Sequence, residues 1–597
     1  MKVQRKRASK QPLVTSKPVD PSPARLGKSL PVKASAMRLL SVWAVLTAST
    51  LGLGVNLYRL QVTQTSTLKQ WAQEQQMIYL RPFIPRRPIV DRNGAVLAID
   101  QPVYILYAHP KLFKVSKSVI AAKLAPVLNR PIASVLKQLD QRETGIQVEY
   151  ALSEDIANRI LDWQMDGLEL IRNQQRVYPQ KDLAADVVGY VNSDRQGQAG
   201  VEYSQQSHLE RTAQSIQISR TGSGALMPEQ LPGGFLNVDN LRLQLTLDTR
   251  LQRTARFALK RQLKQFKAKR GSVIVMDAKD GAILALAAEP SYDPNYFYKY
   301  DPGLFKNWAL TDLYEPGSTF KPINVAIALE AGAIKPNSVF NDVGQLQIGG
   351  WPIGNYDYST RGSRGLLTLS QILQYSSNVG MVRIVQQMKP EVYYGWLERL
   401  GLGQTTGSDL PFESASQLKT QEQFTQGPIE PATASFGQGL SLTPLQVTQL
   451  HAALVNGGQL ISPRIVRGLF SSDGQLHWQP KQPAPRRIFS PKTTQAVLSM
   501  MEDVVSKGTG KPAKIPGYRV GGKTGTAQKA NPNGGYMSNA KITSFVGIFP
   551  MQAPRYVVLA VIDEPQGDNA FGSTVTAPIV KAVIESLITM DALPPSQ

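Results

Sequence analysis

Glu315-Pro-Gly-Ser-Thr-Phe-Lys-Pro322 is a turn sequence that runs directly into the apolar stretch Ile323 to Leu329. Gly and Pro punctuate the chain here, and the stretch beyond them reads as a buried helix. Ser318 then stands at a helix start, where backbone N–H groups lack intrahelical partners and the dipole's positive end is felt. The i, i+3 spacing puts Lys321 on the same face one turn later. Ser-x-x-Lys alone means little, because the chain has it five times: Ser66/Lys69, Ser134/Lys137, Ser318/Lys321, Ser416/Lys419 and Ser538/Lys541. Most such pairs are solvated surface residues. Two rarer motifs follow Ser318 in order. Ser376-Ser-Asn378 lies 58 residues on; Lys523-Thr-Gly-Thr526 lies 205 residues on, in a strand-like segment after Gly521-Gly522.

Around these motifs the pattern is α+β. Leu241 to Asp248 alternates like a strand, and Leu251 to Phe266 has helical spacing with apolar and basic faces. Ser272-Val-Ile-Val-Met276 and Ala282-Ile-Leu-Ala-Leu286 flank Asp280-Gly281, a hairpin signal. Strand-like runs return at Thr543 to Phe549 and Tyr556 to Ile562, and helical pattern fills the middle. Strands at both ends of a domain with helices between predict a layered fold on an antiparallel sheet. The Gly/Pro-rich stretch between Ser219 and Phe235 reads as a linker, which separates a mixed segment before it from this regular domain.

The 597 residues are enough for several domains, and they carry a net charge of +22 without a single cysteine. That composition excludes disulfides, thiolate zinc sites, iron–sulfur clusters and a cysteine nucleophile. The four histidines, His109, His208, His451 and His477, are too scattered for a His-rich metal site. The charge is uneven. Residues 1–38 hold ten Lys and Arg against Asp20 alone, a net of +9 that leaves +13 for the rest. Leu39 to Tyr58 follows, 20 residues without a charge, long enough to cross a bilayer core of about 30 Å as a helix. It exceeds a signal-peptide apolar core and no Ala-x-Ala site follows, so it reads as an uncleaved anchor. Preceding cations put the N-terminus in the cytoplasm and the chain beyond Arg59 outside. Charge concentrated beside a span argues against nucleic-acid binding.

The three motifs together resemble the penicillin-binding proteins and serine β-lactamases. The resemblance extends further. Arg87-Pro-Ile-Val-Asp-Arg-Asn-Gly94 with Leu97-Ala98 looks like the first pedestal motif of class B penicillin-binding proteins, although Pro88 stands where that family usually has Gly. Arg176-Val-Tyr-Pro179, Val188-Gly-Tyr190 and Gly200-Val-Glu202 resemble later pedestal motifs. Pro290-Ser-Tyr-Asp-Pro-Asn295, Phe436-Gly-Gln-Gly439, Thr443-Pro-Leu-Gln446 and Ser544-Phe-Val-Gly547 fit the catalytic half. Glu315-Pro316 and the short end after Ile579 resemble the division-type (FtsI-like) members. The implied organisation is a basic tail (1–38), a transmembrane helix (39–59), a mixed α/β pedestal (60–235) and a transpeptidase domain (236–590). The membrane is the plasma (inner) membrane, with the catalytic domain outside.

The resemblance implies a peptidoglycan D,D-transpeptidase that cross-links stem peptides at the septum through an acyl-enzyme. It needs no cofactor and is a target of β-lactams. The residues make chemical sense of this. No histidine is placed to activate Ser318, whereas a neutral Lys321 can, if burial and the charge of Lys523 lower its pKa. Ser376 would relay the proton to the leaving amine; Asn378 would orient Lys321 and hold the substrate amide. The N–H groups of Ser318 and, by family analogy, Thr526 would form an oxyanion hole. Lys523, Thr524 and Thr526 offer a cation and hydroxyls to a terminal carboxylate, and Gly525 would let the substrate backbone approach. By resemblance, partners would be lipid-linked precursor strands, a membrane glycosyltransferase of the shape-elongation-division-sporulation family (FtsW-type) and other divisome proteins.

Four alternatives share these features: a side-wall elongation transpeptidase, a D,D-carboxypeptidase, a β-lactamase or β-lactam sensor, and a catalytically silent division scaffold. Three smaller features have local readings. The aromatic cluster from Tyr292 to Trp308 reads as a packed loop, with a substrate groove as the alternative. Asp563, Glu564 and Asp568 read as a solvated loop, and His451 as a satisfied core histidine.

Overall fold

The structure is a computed structural model that describes residues 36–80, 84–211, 216–219, 238–531 and 535–596. Residues 1–35 of the basic tail and the linker from Arg220 to Phe235 lie outside the described residues. The chain forms two compact units, one of Met1–Leu80 with Ser215–Phe235 and one of Arg81–Gln214 with Leu236–Gln597. In the first, α1 (Ala36–Tyr58) carries the expected apolar run and buries none of its side chains. Its 23 residues extend about 35 Å, enough for a bilayer core. The same unit pairs Met77–Leu80 antiparallel with Ile216–Ser219.

In the second unit the pedestal begins with β1 (Ile89–Val90) and β2 (Val96–Ala108), joined by Asp91-Arg-Asn-Gly94. Asp91 is wholly buried because its carboxylate does two jobs. It accepts the N–H groups of Asn93 and Ala95 at 2.8 Å inside its own turn, and that of Thr249 at 3.0 Å. β2 pairs with β3 (Ile146–Leu152) on one side and β4 (Leu168–Val177) on the other. β5 (Arg242–Leu245) pairs parallel with β1 and antiparallel with the later strand Val466–Phe470. The alternating Leu241 to Asp248 stretch therefore joins the sheet of β1 and β2 rather than the later five-stranded one. The later pedestal motifs form a buried ionic cluster: Arg176 reaches Glu202 at 2.7 Å and Asp100 at 3.1 Å, and Arg86 reaches Glu202 at 2.8 Å.

The later part of this unit starts with α2 (Thr249–Gln265), capped by Asp248, and the hairpin β6 (Arg270–Asp277) and β7 (Ile283–Glu289). Helices α3 (Lys321–Glu330), α4 (Leu369–Tyr375), α5 (Asn378–Val385), α6 (Pro444–Val455) and α7 (Pro491–Ser506) fill the middle. The chain returns through β8 (Gly521–Ala530), β9 (Tyr536–Phe549) and β10 (Tyr556–Asp563), and ends in α8 (Ala577–Met590). The sheet order is β8-β9-β10-β6-β7, antiparallel throughout, as the sequence pattern predicts. Its central strands are apolar at nearly every position because both faces are covered. Val273 and Val275 pack with α2 and α8, whereas Ile274 and Met276 pack with α3 and α6. The span from Gly572 through α8 is long and apolar enough to cross a membrane, but Ile579, Val583, Ile584 and Leu587 are buried against the sheet, which makes it a core helix.

Asp563 does not belong to a solvated loop. It ends β10, is 1% exposed, and accepts from Arg270 Nε and Lys529 Nζ, both at 2.9 Å. Two cations from other strands of the sheet compensate its charge, while Asp568 beyond it is exposed. The aromatic cluster is packed in part: Tyr190 stacks on Phe297 at 4.7 Å between ring centres and Tyr292 meets Phe305 edge-on at 4.8 Å, while Tyr296, Tyr298 and Tyr300 are exposed.

Candidate active site

Ser318 lies in a tight 3-10 turn, Gly317–Phe320, immediately before α3. Two glycines make that turn fit. Gly317 donates its N–H to Gly437 O at 2.9 Å, and a Cβ at Gly437, where φ is +81°, would stand 2.2 Å from Gly317 O. This is a local reason for the Phe436-Gly-Gln-Gly439 motif. Ser376 terminates α4 in a left-handed conformation, φ 58° and ψ 39°, which turns the chain so that Ser377 can cap α5. Lys523, Thr524 and Thr526 come from β8, the edge strand of the sheet among the described residues.

The hydrogen bonds converge on Ser376. Its Oγ is 3.0 Å from Ser318 Oγ, 3.3 Å from Lys321 Nζ and 2.9 Å from Lys523 Nζ. Lys321 Nζ also donates to Ser376 O at 2.6 Å and Asn378 Oδ1 at 2.7 Å. Both lysines are wholly buried. Burial first, then the charge of Lys523, holds Lys321 well below the ordinary lysine value of 10.5, against an upward pull from Asp342. Burial brings Lys523 down to about 7. A neutral Lys321 has two N–H bonds, matched by Ser376 O and Asn378 Oδ1, which leaves its lone pair facing Ser376 Oγ. The arrangement can therefore pass a proton from Ser318 through Ser376 to Lys321.

These groups sit at the foot of a cavity of about 510 Å³ lined by Ser318, Ser376, Asn378, Thr524 and Thr526, with Tyr356, Phe436 and Phe571 as apolar walls. Lys321 and Lys523 lie beneath its floor. Thr524 Oγ1 is 3.0 Å from Thr509 Oγ1 and 3.3 Å from Lys523 Nζ, a polar end suited to a carboxylate. Gly525 has a packing role. A Cβ there would stand 2.3 Å from Ser544 Oγ and 2.9 Å from Thr319 Cγ2, so the glycine lets β8 pack against the Ser318 turn. It does not line the cavity. His451 is buried on α6; its Nδ1 donates to Val447 O at 2.8 Å, and burial lowers it to about 4, against hydrogen bonds to the Val447 and Thr319 backbone. It is a neutral core residue. Thr509, Tyr356 and Phe571 were not legible as site residues, because no motif marks them.

The penicillin binding protein transpeptidase domain model matches residues 271–585, and the penicillin-binding protein dimerisation domain model matches residues 84–227. A peptidoglycan D,D-transpeptidase FtsI homolog of Mesostigma viride is 44% identical over 94% of this chain and 96% of its own. Stage V sporulation protein D of Bacillus subtilis is 32% identical over 86% of this chain and 79% of its own. The crystal structure of penicillin binding protein 3 from Mycobacterium tuberculosis, complexed with aztreonam, superposes with a TM-score of 0.65 at 27% identity. It covers 87% of this chain and 98% of that one.

Proposed function

Given that the chain belongs to the penicillin-binding protein family, we propose that Ser318 is the nucleophile of its transpeptidase reaction and Lys321 the base. The protein is a division-type peptidoglycan D,D-transpeptidase. The observation that carries the residue assignment is the convergence of Ser318, Lys321 and Lys523 on Ser376 Oγ within 3.3 Å at the foot of a cavity.

In this reading Ser318 Oγ attacks the carbonyl carbon of the penultimate D-Ala, and its proton passes through Ser376 to Lys321. Backbone N–H groups of Ser318 and Thr526 receive the oxyanion; one such donor contributes about 3 kcal/mol to transition-state stabilisation. Collapse breaks the peptide bond, and the departing amine of the terminal D-Ala takes the proton back. The acyl-enzyme then passes to an acceptor amine from a second stem peptide, which restores Ser318. Thr524, Thr526 and the Lys523 charge hold the terminal carboxylate.

We extend the reading to the rest of the chain. Residues 1–38 are the cytoplasmic tail, 39–59 the span, 60–235 the pedestal and 236–590 the catalytic domain, which faces outward. The cation-flanked span supports that orientation. Span and pedestal are assigned to contact a membrane glycosyltransferase of the shape-elongation-division-sporulation family and other divisome proteins. Labelling with a fluorescent penicillin tests the core assignment: wild type is labelled and Ser318→Ala is not. A label that persists in the variant refutes the nucleophile.

A further inference from the structure

Asp342 ends a short strand, Val339–Asp342, and its carboxylate is wholly buried. Among the described residues it forms no ion pair. Both of its oxygens accept from Asn355 Nδ2 at 2.8 Å, and one also accepts from Gly344 N at 2.8 Å. Asn355 is itself buried and turns its carbonyl to the start of α5, where Oδ1 accepts from Asn378 N at 2.8 Å and Val379 N at 3.2 Å. The Asn378 side chain donates to Gly354 O at 2.9 Å and accepts from Lys321 Nζ at 2.7 Å. A continuous chain of hydrogen bonds thus runs from Asp342 to the amine beneath Ser318.

A buried carboxylate without a cation beside it is costly, and a neutral amide would fill the same space. The charge therefore calls for a reason beyond packing. The charged groups acting on Lys321 are Lys523 from β8 and Asp342 itself, the latter favouring the protonated amine. Near Asp342, the Arg364 N–H donates to the Asp342 backbone carbonyl at 3.0 Å, and the Arg364 guanidinium pairs with Asp357.

We propose that Asp342 and Asn355 are positioning residues for acylation of Ser318: Asp342 orients Asn355, which holds Asn378 where its side chain accepts from Lys321. The proposal deepens the transpeptidase reading and rests on it.

The test is the second-order rate of fluorescent-penicillin acylation of the full chain across pH, with melting temperatures measured alongside. Asp342→Asn loses about 10²-fold in rate, as small misplacements near reacting groups do. Its acid limb moves to lower pH by roughly one unit, because a lost negative charge disfavours protonated Lys321. Asn355→Ala loses rate similarly but keeps its acid limb in place, since the charge remains. The exchange variant, Asp342→Asn with Asn355→Asp, recovers most of the rate. In it the amide at position 342 donates to a carboxylate at position 355, which still accepts from Asn378 N. Wild-type rates in both single variants overturn the proposal. So do losses that follow the melting temperature alone, with no shift in the acid limb and no recovery in the exchange variant. If Asp342→Asn fails to fold, the exchange variant decides: near-wild-type acylation supports the proposal, and its loss in a folded chain overturns it. A Ser318→Ala control separates the two readings, because label on that variant removes the nucleophile whatever Asp342 does.

Discussion

Lys523→Met exposes what the site costs the fold. The amine is wholly buried, and burial lowers it from 10.5 to about 7. Its folded value lies below its unfolded one, so between pH 7 and 10.5 the unfolded chain keeps a proton that the folded chain releases. Stability contributed by this group therefore rises with pH through that window, and the full penalty stands below pH 7. At about 1.4 kcal/mol per pH unit, the penalty has a ceiling on the order of 5 kcal/mol. Methionine removes it but orphans Thr524 O, which accepts from Lys523 Nζ at 2.9 Å, returning about 1–3 kcal/mol. The expected net gain is about 2 kcal/mol near pH 7, within the range seen when buried charges become apolar. Denaturant unfolding of wild type and variant, near neutral pH and near pH 10, measures it, with penicillin labelling in parallel. The variant should be more stable near neutrality, lose that advantage in alkali, and acylate at least about 10²-fold more slowly. A variant less stable than wild type near neutrality, or equally advantaged at both pH values, would refute the reasoning.

Gly525→Ala places a Cβ 2.3 Å from Ser544 Oγ and 2.9 Å from Thr319 Cγ2. It should cost about 1–3 kcal/mol and slow labelling more than that destabilisation explains, because the Ser318 turn is what must move; a wild-type melt and rate would count against the packing role. Arg176→Ala strips one cation from Glu202 and Asp100, both buried, and should destabilise the chain by about 3–5 kcal/mol by thermal melt. The acylation rate of the folded fraction should hold near wild type, since the cluster belongs to the pedestal.

Much of the fold was legible because the relevant signals are local. Val273 to Met276 alternate between two covered faces and Ile283 to Leu286 are buried at every position, so even a nearly continuous apolar run marked strands once Asp280-Gly281 punctuated it. Leu241 to Asp248 read correctly as a strand, but its partner did not. Pairing with Ile89 and Val90 depends on residues about 150 positions away. Asp563 was misread for the same reason: charges after a strand usually face water, and only Arg270 and Lys529 from elsewhere make its burial tolerable. The role of Gly525 was invisible too, because what forbids a Cβ there is Ser544 on the adjacent strand and Thr319 in the Ser318 turn.

The order of three motifs, two of them unique, was enough to name the chemistry, and an uncharged run beside ten cations was enough to mark the span. Both are properties of residue type and spacing along the chain. Folding decided that Ser376 rather than Ser318 is the hub of the hydrogen bonds, that two lysines share one buried hydroxyl, and that Asp342 and Asn355 stand behind them. Those facts depend on which groups lose water together. Desolvation and Coulomb interaction act through space, between residues as far apart in the chain as Ser318 and Lys523.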